Sequence, residues 1–125
     1  DYIEELYQLR IEVSQGIEQN SVPFYGAPTV IVVFYTKIAI SDFLGTLDAA
    51  AVTTNMLNAA HALGLGSVWM NRPKEIFSTI EGKALLEKWG ITEELVGVSS
   101  IALGYPDCEN PTPRPRRDGY YKIIK

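Results

Sequence analysis

Two periods organise the apolar positions along the chain. Ile3, Leu6, Tyr7, Arg10 and Ile11 recur at helical spacing, so residues 1–20 predict a helix with one apolar stripe, ended by Gly16 and the run from Gln19 to Pro23. Thr29-Val-Ile-Val-Val-Phe-Tyr35 follows Ala27-Pro28. Its continuous β-branched character predicts a central strand covered on both faces. The pattern breaks up from Thr36 to Leu47, which reads as a loop or a short mobile helix. Helical spacing returns from Ala49 to Leu63 through Val52, Met56, Ala59 and Leu63. Asp48 stands where an acid opposes the positive end of that helix, and Gly64 where a left-handed cap ends it.

The second half alternates more quickly. Ser67 to Met70 predicts a short strand. Pro73 opens a helix running through Ile76, Phe77 and Ile80, and Gly82 to Trp89 predicts another, ended by Gly90. Leu95 to Leu103 is a second strand, stopped by Gly104-Tyr-Pro106. Four of the seven prolines lie between Pro106 and Pro115, so that stretch is extended and stiff. Ile123-Ile124 is expected to form a last short strand. No internal repeat or separating linker interrupts the order, so residues 1–125 are expected to form a single domain or part of one.

Ala49 to Asn71 carries no charge over 23 residues, long enough to imitate a membrane span. Thr53, Thr54, Asn55, Asn58, His61, Gly64, Gly66, Ser67 and Asn71 make it too polar for hydrocarbon, so the expectation is a deeply buried helix followed by a strand. The polar, acidic first stretch predicts no signal peptide, and the chain is expected to be cytoplasmic.

Composition narrows the chemistry. A hydrophobic share of 46% and a charged share of 21% are those of a folded globular chain. The net charge of -4 and pI near 4.9 exclude a protein built to coat nucleic acid. Cys108 is the single cysteine, which excludes an intrachain disulfide and a cysteine-based metal cluster, and its acidic neighbours Asp107 and Glu109 disfavour a thiolate. His61 is the single histidine and has no partner at a readable spacing. Ser99-Ser100 lack a glycine elbow, and Gly64-Leu-Gly66 ends a helix where a dinucleotide loop must open one. No metal site and no side-chain nucleophile or acid–base set is expected.

Charge is unevenly placed. From Arg114 to Lys125 five basic residues oppose one acid, so the rest of the chain carries -8. In an extended segment Arg114 and Arg116 project to the same side, about 6–7 Å apart, and arginine forks suit a terminal phosphate. Arg117 points the other way. A solvated basic tail is the equal alternative, and a proline-rich ligand for a recognition module a weaker third.

The order of these segments is more specific than any one of them. Asp48-Ala-Ala-Ala-Val-Thr-Thr-Asn-Met-Leu-Asn-Ala-Ala-His-Ala-Leu-Gly-Leu-Gly-Ser-Val-Trp69, then Ile101-Ala-Leu-Gly-Tyr-Pro106, then Pro113-Arg-Pro-Arg-Arg117 closely resembles the FMN-dependent nitroreductase family, from about Ala27 to the end. The resemblance implies an α+β fold: a mostly antiparallel central sheet flanked by helices, with a long buried helix at a homodimer interface. It implies FMN as cofactor, with Trp69, Met70, Asn71 and Arg72 beside the flavin ring, Arg114 and Arg116 at its phosphate, and Phe43 on the substrate side. The implied reaction passes hydride from NAD(P)H through flavin N5 to a small-molecule acceptor, a nitroaromatic, quinone or similar compound. No nucleic acid or membrane partner is implied. The family's opening Arg-Arg-Ser-x-Arg motif and Asn/Gln-Pro-Trp segment do not occur in the sequence, which therefore resembles the carboxy-terminal two-thirds of such a protein. The alternative expectation is a truncated, non-catalytic dimerisation domain that does not retain flavin.

Overall fold

The computed structural model describes residues 2–14, 22–37, 41–109 and 111–125. Helix α1 spans Tyr2–Val13, a 3-10 turn Pro23–Gly26, β1 Thr29–Thr36, α2 Asp42–Ala62, β2 Gly66–Met70, α3 Pro73–Ser78, α4 Ile80–Lys88 and β3 Leu95–Gly104. The expected end of the first helix at Gly16 and Gln19 falls outside the described residues.

The three strands form one antiparallel sheet in the order β1-β3-β2. The late strand β3 is central, with Ile31 and Trp69 flanking Ile101 from either side. The expectation that the first strand is central is therefore corrected. Its apolar run reflects cover on both faces, not a central position. Val30, Val32 and Phe34 pack on the main core while Val33 is buried, and α2 also contacts β1.

The main core joins α1, α3, α4 and one sheet face through Leu6, Tyr7, Phe24, Met70, Ile76, Phe77, Leu85, Leu86 and Ala102. Phe77 is its aromatic hub, meeting Phe34 at 4.8 Å and Trp89 at 5.9 Å. Helix α2 also packs on β3, where Thr53 meets Ser99.

Helix α2 begins at Asp42, seven positions before the expected start, and Asp48 lies inside it. Ser41 caps it by accepting from the Leu44 N–H at 3.2 Å, and Asp42 supplies the first-turn acid. Gly45 obscured this start, because glycine weakens a helical pattern. Its reason is contact: a Cβ there would lie 2.5 Å from the Tyr35 ring. Within the chain α2 buries only Gly45, Ala49, Thr53 and Ala60, while Leu44, Leu47, Val52 and Met56 remain exposed.

Two further boundaries differ. Thr79 separates α3 from α4 by capping Gly82 at 3.0 Å, so Ile80 belongs to the later helix. Ile123 and Ile124 form no strand; they lie exposed on the tail. Among the described residues no helix is long and apolar enough to cross a membrane.

Candidate functional site

Where β2 ends, the chain must turn sharply to start α3. Trp69 donates its indole N–H to Asn71 Oδ1 at 2.9 Å, and Ser100 Oγ donates to the Met70 carbonyl at 3.3 Å. Arg72 then adopts φ 94°, ψ -10°, and Pro73 opens the helix with its fixed φ. A left-handed arginine costs about 1–2 kcal/mol relative to an ordinary backbone. The turn is held from the far end of the sequence: Arg10, only 8% exposed, donates from Nη1 to the Asn71 carbonyl. A charged hydrogen bond in a buried setting is worth more than its neutral counterpart.

Arg10 and residues 69–72 line a cleft of about 650 Å³, together with Tyr25, Glu75 and Val98. Arg72 Nη1 stands 3.6 Å from Glu75 Oε1, and both residues line the cleft. Tyr25 arrives on the 3-10 turn, where Phe24, Tyr25 and Gly26 have φ of 46°, 58° and 73°. Among the described residues the non-glycine positions with positive φ are Phe24, Tyr25 and Arg72, and the last two both line this cleft. Strained backbone of this kind concentrates at ligand sites.

A larger cleft of about 720 Å³ is lined by residues including Tyr35, Lys37, Asp42, Phe77 and Val96. Lys37 pairs there with Glu94 at 3.0 Å, which raises the lysine above its ordinary range. Burial, with Asp42 alongside, pushes the Tyr35 phenol up. Size favours this cleft, but it gathers no strained backbone and none of the residues singled out by sequence. The smaller cleft is therefore the candidate site.

Of those residues, Trp69, Met70, Asn71 and Arg72 come together there, Met70 mostly as a core side chain at 8% exposure. Phe43 lies 71% exposed in the first turn of α2 and lines neither cleft. Arg114 and Arg116 lie exposed on the tail and do not line the cleft. His61 and Cys108 are exposed and also outside it. Sequence reading missed Arg10, Tyr25, Glu75 and Val98. Arg10 sits on the apolar stripe of α1, a signal that its guanidinium is directed inward; nothing in the sequence marks Tyr25 except the glycine after it.

The residues present fit the ring end of a flavin. A polar cleft lined by Trp69, Tyr25 and the Asn71-Arg72 turn suits a planar polar ring. The phosphate end has no counterpart in the cleft itself.

The architecture, helices on both sides of an antiparallel sheet with a long, half-exposed helix, is that of known flavin-binding enzymes. A nitroreductase with bound FMN from Bacteroides fragilis superposes with a TM-score of 0.80 at 22% identity, covering 99% of this chain and 71% of that one; at this identity the likeness shows the fold alone. A second, from Desulfovibrio desulfuricans and in complex with FMN, gives 0.60 at 27% identity over 92% of this chain and 60% of that one. In sequence, the "Putative NADH dehydrogenase/NAD(P)H nitroreductase" of Archaeoglobus fulgidus is 46% identical over 63 residues, 50% of this chain and 34% of the relative. The Nitroreductase family pattern matches residues 12–105. The chain belongs to the nitroreductase family. Its matched stretch spans about a third of the length of the relatives from Archaeoglobus fulgidus and Methanothermobacter thermautotrophicus.

Proposed function

We propose that this chain is an FMN-dependent oxidoreductase, acting as a homodimer on a small nitroaromatic, quinone or similar acceptor with NAD(P)H as donor. The cleft carries the reading: Trp69, Asn71 and Arg72, singled out by resemblance, share one lining with the buried Arg10. FMN, when bound, supplies hydride transfer from the nicotinamide donor to the acceptor, which is why the chain needs no nucleophile or acid–base pair of its own. The chain's residues bind and orient. Arg10 fixes the Asn71 carbonyl, and the left-handed Arg72 sets the turn whose backbone is proposed to meet the ring. Met70 anchors that segment in the core. Arg114 and Arg116 are proposed to hold the phosphate, and Phe43 to approach the acceptor.

The dimer is supported by α2. Leu44, Leu47, Val52 and Met56 leave apolar surface exposed along a helix that buries Gly45, Ala49, Thr53 and Ala60. The second reading, a dimerisation domain without flavin, is favoured by one observation: Arg114 and Arg116 lie outside the cleft lining. Titrating the purified chain with FMN, followed by flavin absorbance and fluorescence, separates the two. Saturable binding with NAD(P)H-dependent reduction of a nitroaromatic is expected. A chain that neither retains nor takes up FMN overturns the enzyme reading in favour of the second.

A further inference from the structure

The Asn71–Arg72 peptide is gripped at one end only. Its carbonyl accepts from Nη1 of Arg10, whereas its N–H, carried by Arg72, has no backbone acceptor among the described residues. A trans peptide is planar with its carbonyl and N–H on opposite sides, so the Arg72 N–H faces away from the guanidinium. That orientation is not the relaxed one. Arg72 at φ 94°, ψ -10° matches the third residue of a type II turn, a place ordinarily taken by glycine or asparagine. Pro73 adds to the strain, because a residue before proline is pushed toward extended backbone. Rotating the peptide by half a turn gives the type I form, with φ of about -90° at Arg72, and relieves the left-handed clash. The same rotation carries the Asn71 carbonyl away from Arg10.

The other side chains of the turn do not oppose that rotation. The Trp69 indole holds the Asn71 side chain and the Ser100 hydroxyl holds the Met70 carbonyl, so neither grips this peptide. Arg10 does. It is only 8% exposed, sits on α1 and makes a further interaction of its own, so its guanidinium is an anchored donor that stays charged. A charge-assisted hydrogen bond is of the size needed to hold one left-handed residue. Arg10 also precedes the stretch 12–105 that matches the family pattern.

We propose that Arg10 is a positioning residue. By anchoring the Asn71 carbonyl it holds the Asn71–Arg72 peptide in its strained orientation, and so keeps the Arg72 N–H available as donor to the ring nitrogen N5 of a bound flavin. The inference rests on the proposed function for its ligand, yet one of its readouts needs no ligand at all.

The full chain, Arg10→Met and Arg10→Lys are compared in two ways. Without ligand, the NMR coupling between the amide and α protons of Arg72 reports φ: it is small for the left-handed backbone and large near the type I value of about -90°. With ligand, calorimetry gives affinities for riboflavin and for 5-deazariboflavin, which carries a carbon in place of N5. The wild type and Arg10→Lys keep the small coupling and prefer riboflavin about threefold to tenfold, the size of one hydrogen bond. Arg10→Met shows the large coupling and binds the two flavins alike. A merely structural residue would weaken both flavins equally and leave the preference between them unmoved. An unchanged coupling or an unchanged riboflavin preference in Arg10→Met therefore overturns the inference and leaves the proposed function standing. So does a loss of preference in Arg10→Lys as complete as in Arg10→Met. Should Arg10→Met fail to fold, the wild type still decides: equal affinity for the two flavins overturns the inference, and a preference shared with Arg10→Lys supports it. Binding of neither flavin overturns the inference and the proposed function together.

Discussion

Ser99 donates its hydroxyl to that of Thr53, 2.7 Å away, at a point where both residues have no exposed surface. The direction follows from proton count: the single Thr53 hydroxyl proton is already donated to the Ala49 carbonyl at 2.8 Å. One relay thus ties the middle of α2 to the central strand, and it orders the effects of substitution. Thr53→Val leaves the buried Ser99 hydroxyl without its acceptor and is expected to destabilise by about 1–3 kcal/mol. Ser99→Ala leaves Thr53 still bonded to Ala49 and is expected to cost less. The double variant should be less unstable than the sum of the two. Urea unfolding at fixed protein concentration checks the order, and a Ser99→Ala loss larger than that of Thr53→Val contradicts the assigned direction.

Gly97 faces the start of α3 so closely that a Cβ would lie 2.6 Å from the Pro73 carbonyl oxygen. Gly97→Ala must therefore push Pro73, and with it the left-handed Arg72 before it. A loss of about 1–3 kcal/mol is expected, as for other overpacked sites. Urea unfolding measures it, and an unchanged midpoint would show that the turn is soft.

Local rules made the second half of the fold legible. Pro73, Gly64 and the stop at Gly104-Tyr-Pro106 place helix and strand ends close to those observed. The failures arose where distant contacts decide. Gly45 reads as a helix breaker until the Tyr35 ring above it is known, and Thr29–Tyr35 reads as central until β3 takes that place. In the site, the 69–72 segment was legible through family resemblance. Tyr25 was not, because a left-handed tyrosine has no compositional signature. Arg10 lies 61 positions from the Asn71 carbonyl that it holds, a separation no local pattern reveals.

Lys88 Nζ lies 2.6 Å from Glu5 Oε1, joining α4 to α1, and this hydrogen bond raises the lysine above its ordinary value. A raised lysine contributes stability below its unfolded value and loses that contribution as pH rises through the folded one. Both groups are half-exposed, so salt screens the pair and the effect on stability is small. Glu5→Gln is expected to return Lys88 toward its ordinary titration, read by NMR of the lysine side chain. An unmoved Lys88 would show that Glu5 is not its main partner in solution.

If α2 forms the proposed dimer interface, its alanines set how closely two copies approach. Ala59→Glu places a carboxylate at that contact, where desolvation without a partner opposes association. Sedimentation at micromolar concentration should show a dimer for the wild type and a shift toward monomer for the variant. A clean 13.9 kDa monomer for the wild type contradicts the proposal.

The arginine pair tests the phosphate end of the proposed FMN site separately from the ring end. Arg114 and Arg116 lie exposed on a segment without helix or strand, so neither makes a packing contribution whose loss could be mistaken for lost binding. If each makes a charge-assisted contact to the phosphate, changing either to alanine weakens FMN by about 1.5–3 kcal/mol, roughly ten- to a hundredfold. Arg117→Ala should matter much less, because alternate residues of an extended chain point to opposite sides. Riboflavin, which keeps the ring and lacks the phosphate, should bind the wild type and the Arg114→Ala/Arg116→Ala variant equally. Equal FMN affinity for wild type and the double variant would return the pair to a solvated tail. A loss confined to Arg117→Ala would keep the phosphate site and shift its register by one residue.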